Sequence, residues 1–391
     1  MMSSPKFSWP VNPEQYASNP VPSLQDWEGL WKAWDTVTRG MVPQDELLSK
    51  PIKLRNACIF YLGHIPAFLD THLTRATGAK PTEPSYYATI FERGIDPDVD
   101  NPDLCHAHSE IPDTWPPSDE ILDFQERVRA RVRTLMKSGQ VAASRKVARA
   151  MWIGFEHEVM HLETFLYMLL QSDKTLPPTG TESPDFHGKA TKARKQATKN
   201  EWFTVPENEI QVGLDDPEND LGPDRYFGWD NERPPRSVTV PSFSAQARPI
   251  TNGEYAKYLE ENQIKEIPAS WSQAEAYGNG SVHGSAQNGH LNGYSNGHIN
   301  GCMPGDYVST NASDSYLAGK SVRTVYGPVS LAYALDWPIF ASYDELAGFA
   351  KWMDSRIPTA DEVRSIYAFV NQIKGRDTEN VIGKTISAVN G

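Results

Sequence analysis

The sequence predicts an α+β protein in which a helical bundle precedes a second, strand-containing part. Apolar residues recur at helical spacing in four segments of the first 171 residues. From residue 201 the pattern changes to short strand-like runs separated by Pro, Gly, Asp and Asn. At 391 residues the chain is long enough for two domains. We therefore expect a bundle over residues 20–175, a linker over 176–200 and a second domain over 201–375 that contains a disordered insertion at 275–315.

Four segments of the first part carry the periodicity of an amphipathic helix. They are Leu24–Gly40, Ile52–Thr74, Ser118–Met136 and Ser144–Gln171. Ser118 follows two prolines and precedes two acidic residues, so we expect its hydroxyl to cap the third helix. Four helices of this length, with one long connection between the second and the third, predict a four-helix bundle whose facing helices can carry inward-pointing metal ligands.

The second part has the pattern of short strands and helices joined by turns. Strands are predicted at Trp202–Val205 and Arg236–Val240, and helices at Thr251–Glu261 and near Tyr343–Met353. Within residues 278–301, 12 of 24 positions are Gly or Asn. A segment of this composition buries too little apolar surface to offset its chain entropy. We therefore expect this segment to be disordered.

Charge and hydropathy limit the classes of partner. The formal net charge is −13, from 37 Lys and Arg against 50 Asp and Glu. Such a chain lacks the basic footprint of a protein that binds nucleic acid or anionic membranes. No uncharged apolar run reaches the roughly 18 residues that a membrane span needs, and the start of the chain has no signal-peptide pattern. We expect a cytoplasmic protein with small-molecule partners, no nucleic acid and no membrane.

Two histidines in the last predicted helix of the bundle make half of a metal site. His157 and His161 lie four residues apart, so their imidazoles share one helical face and can reach one ion. His64, in the apolar second helix, is the best candidate for a third ligand. Histidine nitrogens suit Fe, Zn, Cu or Ni, so the ligand type does not choose the metal. Three protein ligands leave open coordination positions, which indicates a catalytic rather than a structural site.

The same helix also matches a zinc-protease motif. The residues from His157 to His161 fit HExxH, with Glu158 in the place of the general base. We favour the three-histidine interpretation, because the helix continues without the further glycine and histidine of the extended proteases. The third ligand candidate also lies upstream, in a different helix. Glu163 falls on nearly the opposite helical face from His161, so we expect it to support the structure rather than to bind the ion.

Motifs in both parts of the chain resemble one known family. The first part carries Tyr61-Leu62-Gly63-His64 and an HxxxHxE sequence from His157 to Glu163. The second part carries Asp230-Asn231-Glu232-Arg233-Pro234, Arg248-Pro249-Ile250-Thr251-Asn252-Gly253 and Arg356-Ile357-Pro358-Thr359. In this order, the motifs resemble those of the non-haem iron sulfoxide synthases of ergothioneine and ovothiol biosynthesis, most closely the fungal members.

The resemblance has implications for fold, metal and reaction. It implies a DinB-like four-helix bundle followed by a formylglycine-generating-enzyme-like domain of the C-type-lectin-like fold. It implies that His64, His157 and His161 bind Fe(II). It also implies an oxidoreductase that uses O2 to join a cysteine-type thiol, from cysteine or γ-glutamylcysteine, to the imidazole C2 of hercynine as a sulfoxide.

Departures from the family pattern leave alternatives open. Members of the family continue into a Gly-rich half, and fungal members often carry an upstream methyltransferase domain, whereas this chain ends at Gly391. We therefore expect the second domain to be incomplete. A partner chain is one candidate source of the missing half. The alternative functions are a zinc- or nickel-dependent DinB-like thiol transferase and a truncated metal-binding remnant without activity. We assign no catalytic residue beyond the ligands, since the remaining candidates have ordinary packing or ion-pair interpretations. They are Tyr61, Tyr167, Arg225 and Arg248.

Overall fold

The computed structural model describes residues 21–52, 55–92, 95–97, 105–107, 112–213, 216, 227–273 and 312–380. The predicted insertion at 275–315 lies outside these ranges up to residue 311, and Arg225 lies outside them too. Within these ranges, no helix combines the length and the apolar character that a bilayer crossing requires.

The first part of the chain consists of helices and one short β ribbon. In chain order its elements are α1 (Leu24–Gly40), α2 (Cys58–Thr77), α3 (Tyr87–Ile90), β1 (Ile95–Pro97), β2 (Cys105–Ala107), α4 (Ser118–Ser138), α5 (Gln140–Ala143) and α6 (Arg145–Leu169). Strands β1 and β2 pair antiparallel. The long helices α1, α2, α4 and α6 correspond to the four predicted segments and share one apolar core. The prediction of a helical bundle is confirmed.

Local sequence signals start α1 and orient it. Ser23 forms a capping box with Asp26, because the Asp26 amide donates to the Ser23 hydroxyl at 3.2 Å and the Asp26 carboxylate accepts from the Ser23 amide at 2.8 Å. Trp27, Trp31 and Trp34 then recur at helical spacing and are buried. Two of these indoles pack against phenylalanine rings of α6. The tryptophan face therefore holds α1 against α6.

The predicted cap of α4 is wrong in detail. Pro117 occupies the N-cap position and its side chain makes no capping hydrogen bond. The Ser118 hydroxyl instead accepts a hydrogen bond from Nε2 of Gln44 at 2.9 Å. Proline fixes the backbone before the helix, so Ser118 is already inside the first turn. Its hydroxyl links the start of α4 to the segment that follows α1.

The two helices that carry the histidines approach each other closely. A Cβ built on Gly154 of α6 would lie 2.3 Å from Cδ1 of Leu69 on α2. A Cβ built on Gly63 of α2 would lie 2.4 Å from the ring of Phe91. The absence of a side chain at these two positions therefore allows Leu69 and Phe91 to pack directly against the helix backbones.

The second part combines small antiparallel sheets with helices. In chain order its elements are α7 (Phe186–Lys195), β3 (Trp202–Val205), β4 (Asn208–Val212), β5 (Arg236–Val240), β6 (Phe243–Gln246), α8 (Asn252–Glu261), β7 (Trp271–Gln273), α9 (Asp314–Leu317), β8 (Lys320–Val322), β9 (Val329–Ser330), α10 (Tyr343–Trp352) and α11 (Ala360–Asn380). Strand β3 pairs with β6, β4 pairs with β5, and β7, β8 and β9 form one sheet, all antiparallel. Together with the bundle, these elements confirm the α+β prediction.

The sequence patterns locate some of these elements and miss others. Strands β3 and β5 have their predicted bounds, and both predicted helices occur, as α8 and α10. Helix α7 lies within the stretch predicted as a linker, where the sequence is mostly polar. Arg194 of α7 donates to the carbonyl of Ala332 at 2.6 Å, so this helix contacts the second part. The domain boundaries at 175 and 201 stay a prediction.

A buried carboxylate joins the two parts. Asp216 has a fully buried side chain and accepts hydrogen bonds from Arg145 at 2.5 Å and from Arg149 at 2.9 Å, both on α6. It also accepts from the amide of Gly228 at 2.9 Å. Burial alone raises the pKa of Asp216, but these hydrogen bonds and positive charges outweigh burial, so the pKa lies below its usual value. The second part is therefore anchored to the first turns of α6.

Replacing Asp216 by alanine should lower the free energy of unfolding by about 3–5 kcal/mol, because a buried ion pair loses one partner. The matched control is Asp173→Ala, since Asp173 is exposed and pairs with Arg323 at the surface. The control should cost at most about 1 kcal/mol. Urea unfolding of both variants measures the difference. Small and equal losses would show that Asp216 does not hold the two parts together.

Gly154→Ala should cost about 1–3 kcal/mol, because the added methyl group overlaps Leu69. Leu69→Ala removes the overlapping atoms, so the double variant should lose less stability than the sum of the two single variants. Gly29→Ala is the control, since Gly29 also lies in a helix but a Cβ there meets nothing within 4 Å. Strict additivity of the first two substitutions would contradict a tight contact between α2 and α6.

Candidate metal centre

Three imidazoles converge between α2 and α6. His64 lies in the middle of α2, and His157 and His161 lie one turn apart on α6. The Nε2 atoms of His64 and His157 are 3.1 Å apart. One ligand nitrogen from each of the three histidines lies within 4.8 Å of the other two, which makes this the one group of three such side chains found among the described residues. The fold thus brings the predicted ligands together, and metal binding by them stays a prediction.

Spacing by four residues aligns aromatic rings along one face of α2. Phe60, His64 and Phe68 occupy successive positions on this face. Phe60 stacks on His64 with ring centroids 4.9 Å apart, and Phe68 stacks on His157 at 3.7 Å. His64 and His157 are each only 5% exposed. The phenylalanines therefore fix the planes of these two imidazoles and keep water from their sides.

Hydrogen bonds select the nitrogens that face the centre. The carbonyl of Phe91 lies 2.8 Å from Nδ1 of His64. Because a carbonyl can only accept, Nδ1 carries the proton and Nε2 presents a lone pair. Nδ1 of His161 lies 3.4 Å from the hydroxyl of Thr164, one turn further along α6. Nδ1 of His157 is buried without a hydrogen-bond partner in the described part of the chain.

Burial keeps the three imidazoles in the neutral form. It lowers the pKa of His64 below its usual value. Burial, with smaller effects of the neighbouring histidines, lowers the pKa of His157 well below that value. Burial, His64 and Arg55 together lower the pKa of His161 to about 3. Since a histidine binds a metal as the neutral imidazole, all three side chains are in the ligand form at neutral pH.

The cluster has the geometry and the donor atoms of a transition-metal site. Two nitrogens bound to one ion at about 2.0–2.1 Å lie roughly 2.8–3.4 Å apart, depending on the coordination geometry. The 3.1 Å between His64 and His157 falls in this range. Three neutral nitrogen donors suit Fe, Zn, Ni or Cu and leave positions for other ligands. The residues present therefore fit the Fe(II) that the family resemblance implies.

The glutamate of the HExxH match faces another part of the bundle. Glu158 is 3% exposed and has Arg129 of α4 and Asp35 of α1 as charged neighbours. Burial raises the pKa of Glu158 to about 7, and Arg129 opposes the rise. A general base must reach a water on the ion, and a carboxylate directed towards α1 and α4 is not placed to do so. Glu163 is exposed and is not part of the cluster.

One of the other candidate residues, Tyr61, lies beside the cluster, with its ring 5.7 Å from that of His161. The hydroxyl of Tyr167 accepts a hydrogen bond from Arg55 at 2.9 Å. Arg248 forms an ordinary ion pair, because its guanidinium contacts the carboxylate of Glu254 in the first turn of α8. Arg225 lies outside the described residues.

Sequence reasoning misses the groups that orient the ligands. The Phe91 carbonyl has no sequence signal, because every residue offers one. Thr164 could have been found, since it lies three residues beyond His161 on the same helix. Four-residue spacing along α2 could likewise have identified Phe68. Arg55 precedes α2 and has no periodicity to mark it.

Comparisons with known proteins agree with this two-part architecture. The DinB superfamily model matches residues 25–165, which hold all three histidines. The model described as a sulfatase-modifying factor enzyme 1-like domain matches residues 188–367. The chain therefore joins a DinB-type helical domain with a candidate metal centre to a domain of the type that the motifs in the second part predict.

Two relatives extend the similarity across both parts of the chain. Ergothioneine biosynthesis protein 1 of Neurospora crassa is 53% identical over 391 residues, which are all of this chain and 43% of that protein. Ergothioneine biosynthesis protein 1 of Schizosaccharomyces pombe is 31% identical over 375 residues, which are 90% of this chain and 42% of that protein. The chain is thus similar over its length to ergothioneine biosynthesis proteins, as its motifs predict, and it spans less than half the length of these relatives.

His157→Ala should abolish stoichiometric binding of Co(II) or Zn(II), because two imidazoles remain where three are needed. The matched control is His72→Ala, since His72 is a partly buried histidine near the cluster that contributes no ligand nitrogen to it. Metal analysis of the dialysed proteins gives the number of ions per chain. Retention of the ion by the His157 variant, or its loss from the His72 variant, would contradict the assignment.

Proposed function

We propose that this chain carries the iron centre of a sulfoxide synthase of ergothioneine biosynthesis. In the proposed reaction, a thiol of cysteine or γ-glutamylcysteine, O2 and hercynine give a sulfoxide with a new bond between sulfur and the imidazole C2. One oxygen atom enters the sulfoxide, and the other leaves as water with the thiol hydrogen and the C2 hydrogen. The observation that carries the proposal is the convergence of His64, His157 and His161 within the DinB-type part of a chain that is similar over its length to an ergothioneine biosynthesis protein.

The role of the metal follows from the donor set. Fe(II), when bound by the three imidazoles, supplies open coordination positions and the redox chemistry that O2 requires. The chain itself positions the ligands: the Phe91 carbonyl sets the tautomer of His64, and Phe60 and Phe68 hold two rings by stacking. Exclusion of water from this side of the centre protects an oxygen-dependent reaction from competing hydrolysis and proton transfer.

Several finer expectations belong to the same proposal. The partners are small molecules, namely hercynine, a cysteine-type thiol and O2. The site of action is the cytoplasm. The two domains span residues 20–175 and 201–375. A partner chain supplies a further part of the substrate pocket.

The donor set supports one competing function. Three neutral imidazoles with open positions also suit Zn or Ni, which is the basis of the alternative of a DinB-like thiol transferase. Such an enzyme would retain zinc or nickel through purification and would use a thiol without consuming O2. Metal content and O2 uptake therefore separate the two proposals.

The proposed function predicts both a metal and a product. Purified protein reconstituted with Fe(II) without air should bind about one ion per chain, as one cluster of three ligands allows. Addition of O2, hercynine and either cysteine or γ-glutamylcysteine should then give a sulfoxide adduct detectable by mass spectrometry. The His157→Ala variant should give none, and the His72→Ala control should retain the reaction.

Other outcomes would assign the chain differently. Retained zinc or nickel with thiol consumption in the absence of O2 would favour the transferase. Bound iron without consumption of either thiol would show that this chain does not turn over by itself, as expected for a remnant or for a chain that needs a partner.

A further inference from the structure

Access to the metal centre is uneven. His64 and His157 are each 5% exposed and are covered by stacked phenylalanines. His161 is only partly buried, and the two residues before it in α6, Val159 and Met160, are exposed. A small molecule that approaches the cluster therefore meets the His161 side first.

A cation lies on this open side. Arg55 donates through a guanidinium nitrogen to the hydroxyl of Tyr167 at 2.9 Å. Its positive charge adds to the effects of burial and His64 that lower the pKa of His161, and it opposes the rise that burial causes in the pKa of Tyr61, so Arg55 lies near both groups. Arg55 thus lies near His161, the least buried of the three histidines.

Arg55 differs from other arginines of the bundle in its partners. Arg129, Arg131 and Arg133 each pair with a carboxylate within 3.0 Å. Arg55 has no carboxylate partner among the residues that the structure describes, and its one side-chain hydrogen bond there is to a neutral hydroxyl. A guanidinium with free donors binds carboxylates strongly, because two parallel charge-assisted hydrogen bonds can form.

The backbone around Arg55 is held in place. The amide of Arg55 donates to the carbonyl of Ile52 at 3.0 Å. Three residues on, at the start of α2, the amide of Cys58 donates to the carbonyl of Ser49 at 3.1 Å. The adjoining Asn56 is buried. The guanidinium is therefore attached to a backbone position that hydrogen bonds hold in place.

We propose that Arg55, oriented by Tyr167, binds the α-carboxylate of an amino-acid substrate that reaches the metal centre from the His161 side. This inference rests on the proposed function, since the thiol substrate and hercynine both carry such a carboxylate. In this arrangement Arg55 contacts substrate, and Tyr167 is a positioning residue. The pair selects amino acids over the corresponding amines.

Binding to the Co(II)-loaded full chain tests the inference without turnover. Visible absorption is followed during anaerobic titration with L-cysteine, with cysteamine, which lacks the carboxylate, and with hercynine. Arg55→Met should weaken the binding of a carboxylate-bearing ligand roughly 10- to 100-fold, as expected for loss of charge-assisted hydrogen bonds. Cysteamine binding should not change. Arg364→Met, at an exposed arginine of α11, is the control for loss of surface charge.

A second variant separates orientation from charge. Tyr167→Phe keeps the ring and the guanidinium but removes the hydroxyl to which Arg55 donates. It should weaken the same ligand in the same direction by less than Arg55→Met, and it should also leave cysteamine binding unchanged. Arg55→Lys, which keeps the charge without the planar fork, should restore part of the affinity.

The ligand that is weakened identifies the source of the carboxylate. Weaker L-cysteine binding assigns it to the thiol substrate, and weaker hercynine binding assigns it to hercynine. Unchanged binding of both ligands to Co(II)-loaded Arg55→Met would overturn the inference while leaving the metal centre intact. Failure of the unmodified chain to bind Co(II) would instead overturn the proposed function, and this inference with it.

Discussion

The close packing of α2 against α6 is the contact on which the candidate centre depends. Gly154 lets the side chain of Leu69 lie directly against the backbone of α6. This approach brings Nε2 of His64 to 3.1 Å from Nε2 of His157. Burial of three imidazoles costs free energy unless their polar atoms find partners. The apolar core around the cluster therefore holds it together. An ion bound there would raise the free energy of unfolding.

Helix α6 also connects the centre to the second part of the chain. Its first turns carry the two arginines that hold Asp216, and the ligands follow along the same helix. From Arg149 to His157 is about 12 Å along a helix with a rise of 1.5 Å per residue. The second part reaches the centre as well, because the ring of Trp229 stacks against Phe68, which covers His157, with centroids 6.3 Å apart. Displacement of the second part would thus disturb the wall of the centre.

The parts of the site that follow helical periodicity could be predicted from the sequence. His157 and His161 share a face because they lie one turn apart, and that relation is local. The position of His64 opposite them depends on the packing of the bundle, so the sequence supports it only indirectly, through the apolar second helix, the predicted bundle and the family resemblance. Asp216 could not be predicted, because nothing near it in the sequence indicates that two arginines about seventy residues earlier surround it. Tertiary contacts of this kind have no periodicity.

The same limit explains why the fold prediction was better for strongly amphipathic helices than for short or polar ones. Segment Leu24–Gly40 has a capping box and three tryptophans on one face, and its bounds agree with the structure. Helix α7 has few apolar residues, and its start depends on a side-chain cap from Asp185. The cap at α4 was misassigned because Pro117 shifts the first turn by one residue. Local rules place an element most reliably where the core and the cap favour the same bounds.

The two interpretations of the residues from His157 to His161 differ in which faces of α6 meet the ion. In a zinc protease with this motif, Glu158 would lie beside the ion together with both histidines and act as the general base. Consecutive residues of a helix are about 100° apart, so the partners of α6 decide whether this occurs. Here α2 covers the histidine face, while Arg129 of α4 and the tryptophan side of α1 surround Glu158. The packing of the bundle, and not the sequence motif alone, therefore decides that the three imidazoles face one another while Glu158 faces α1 and α4.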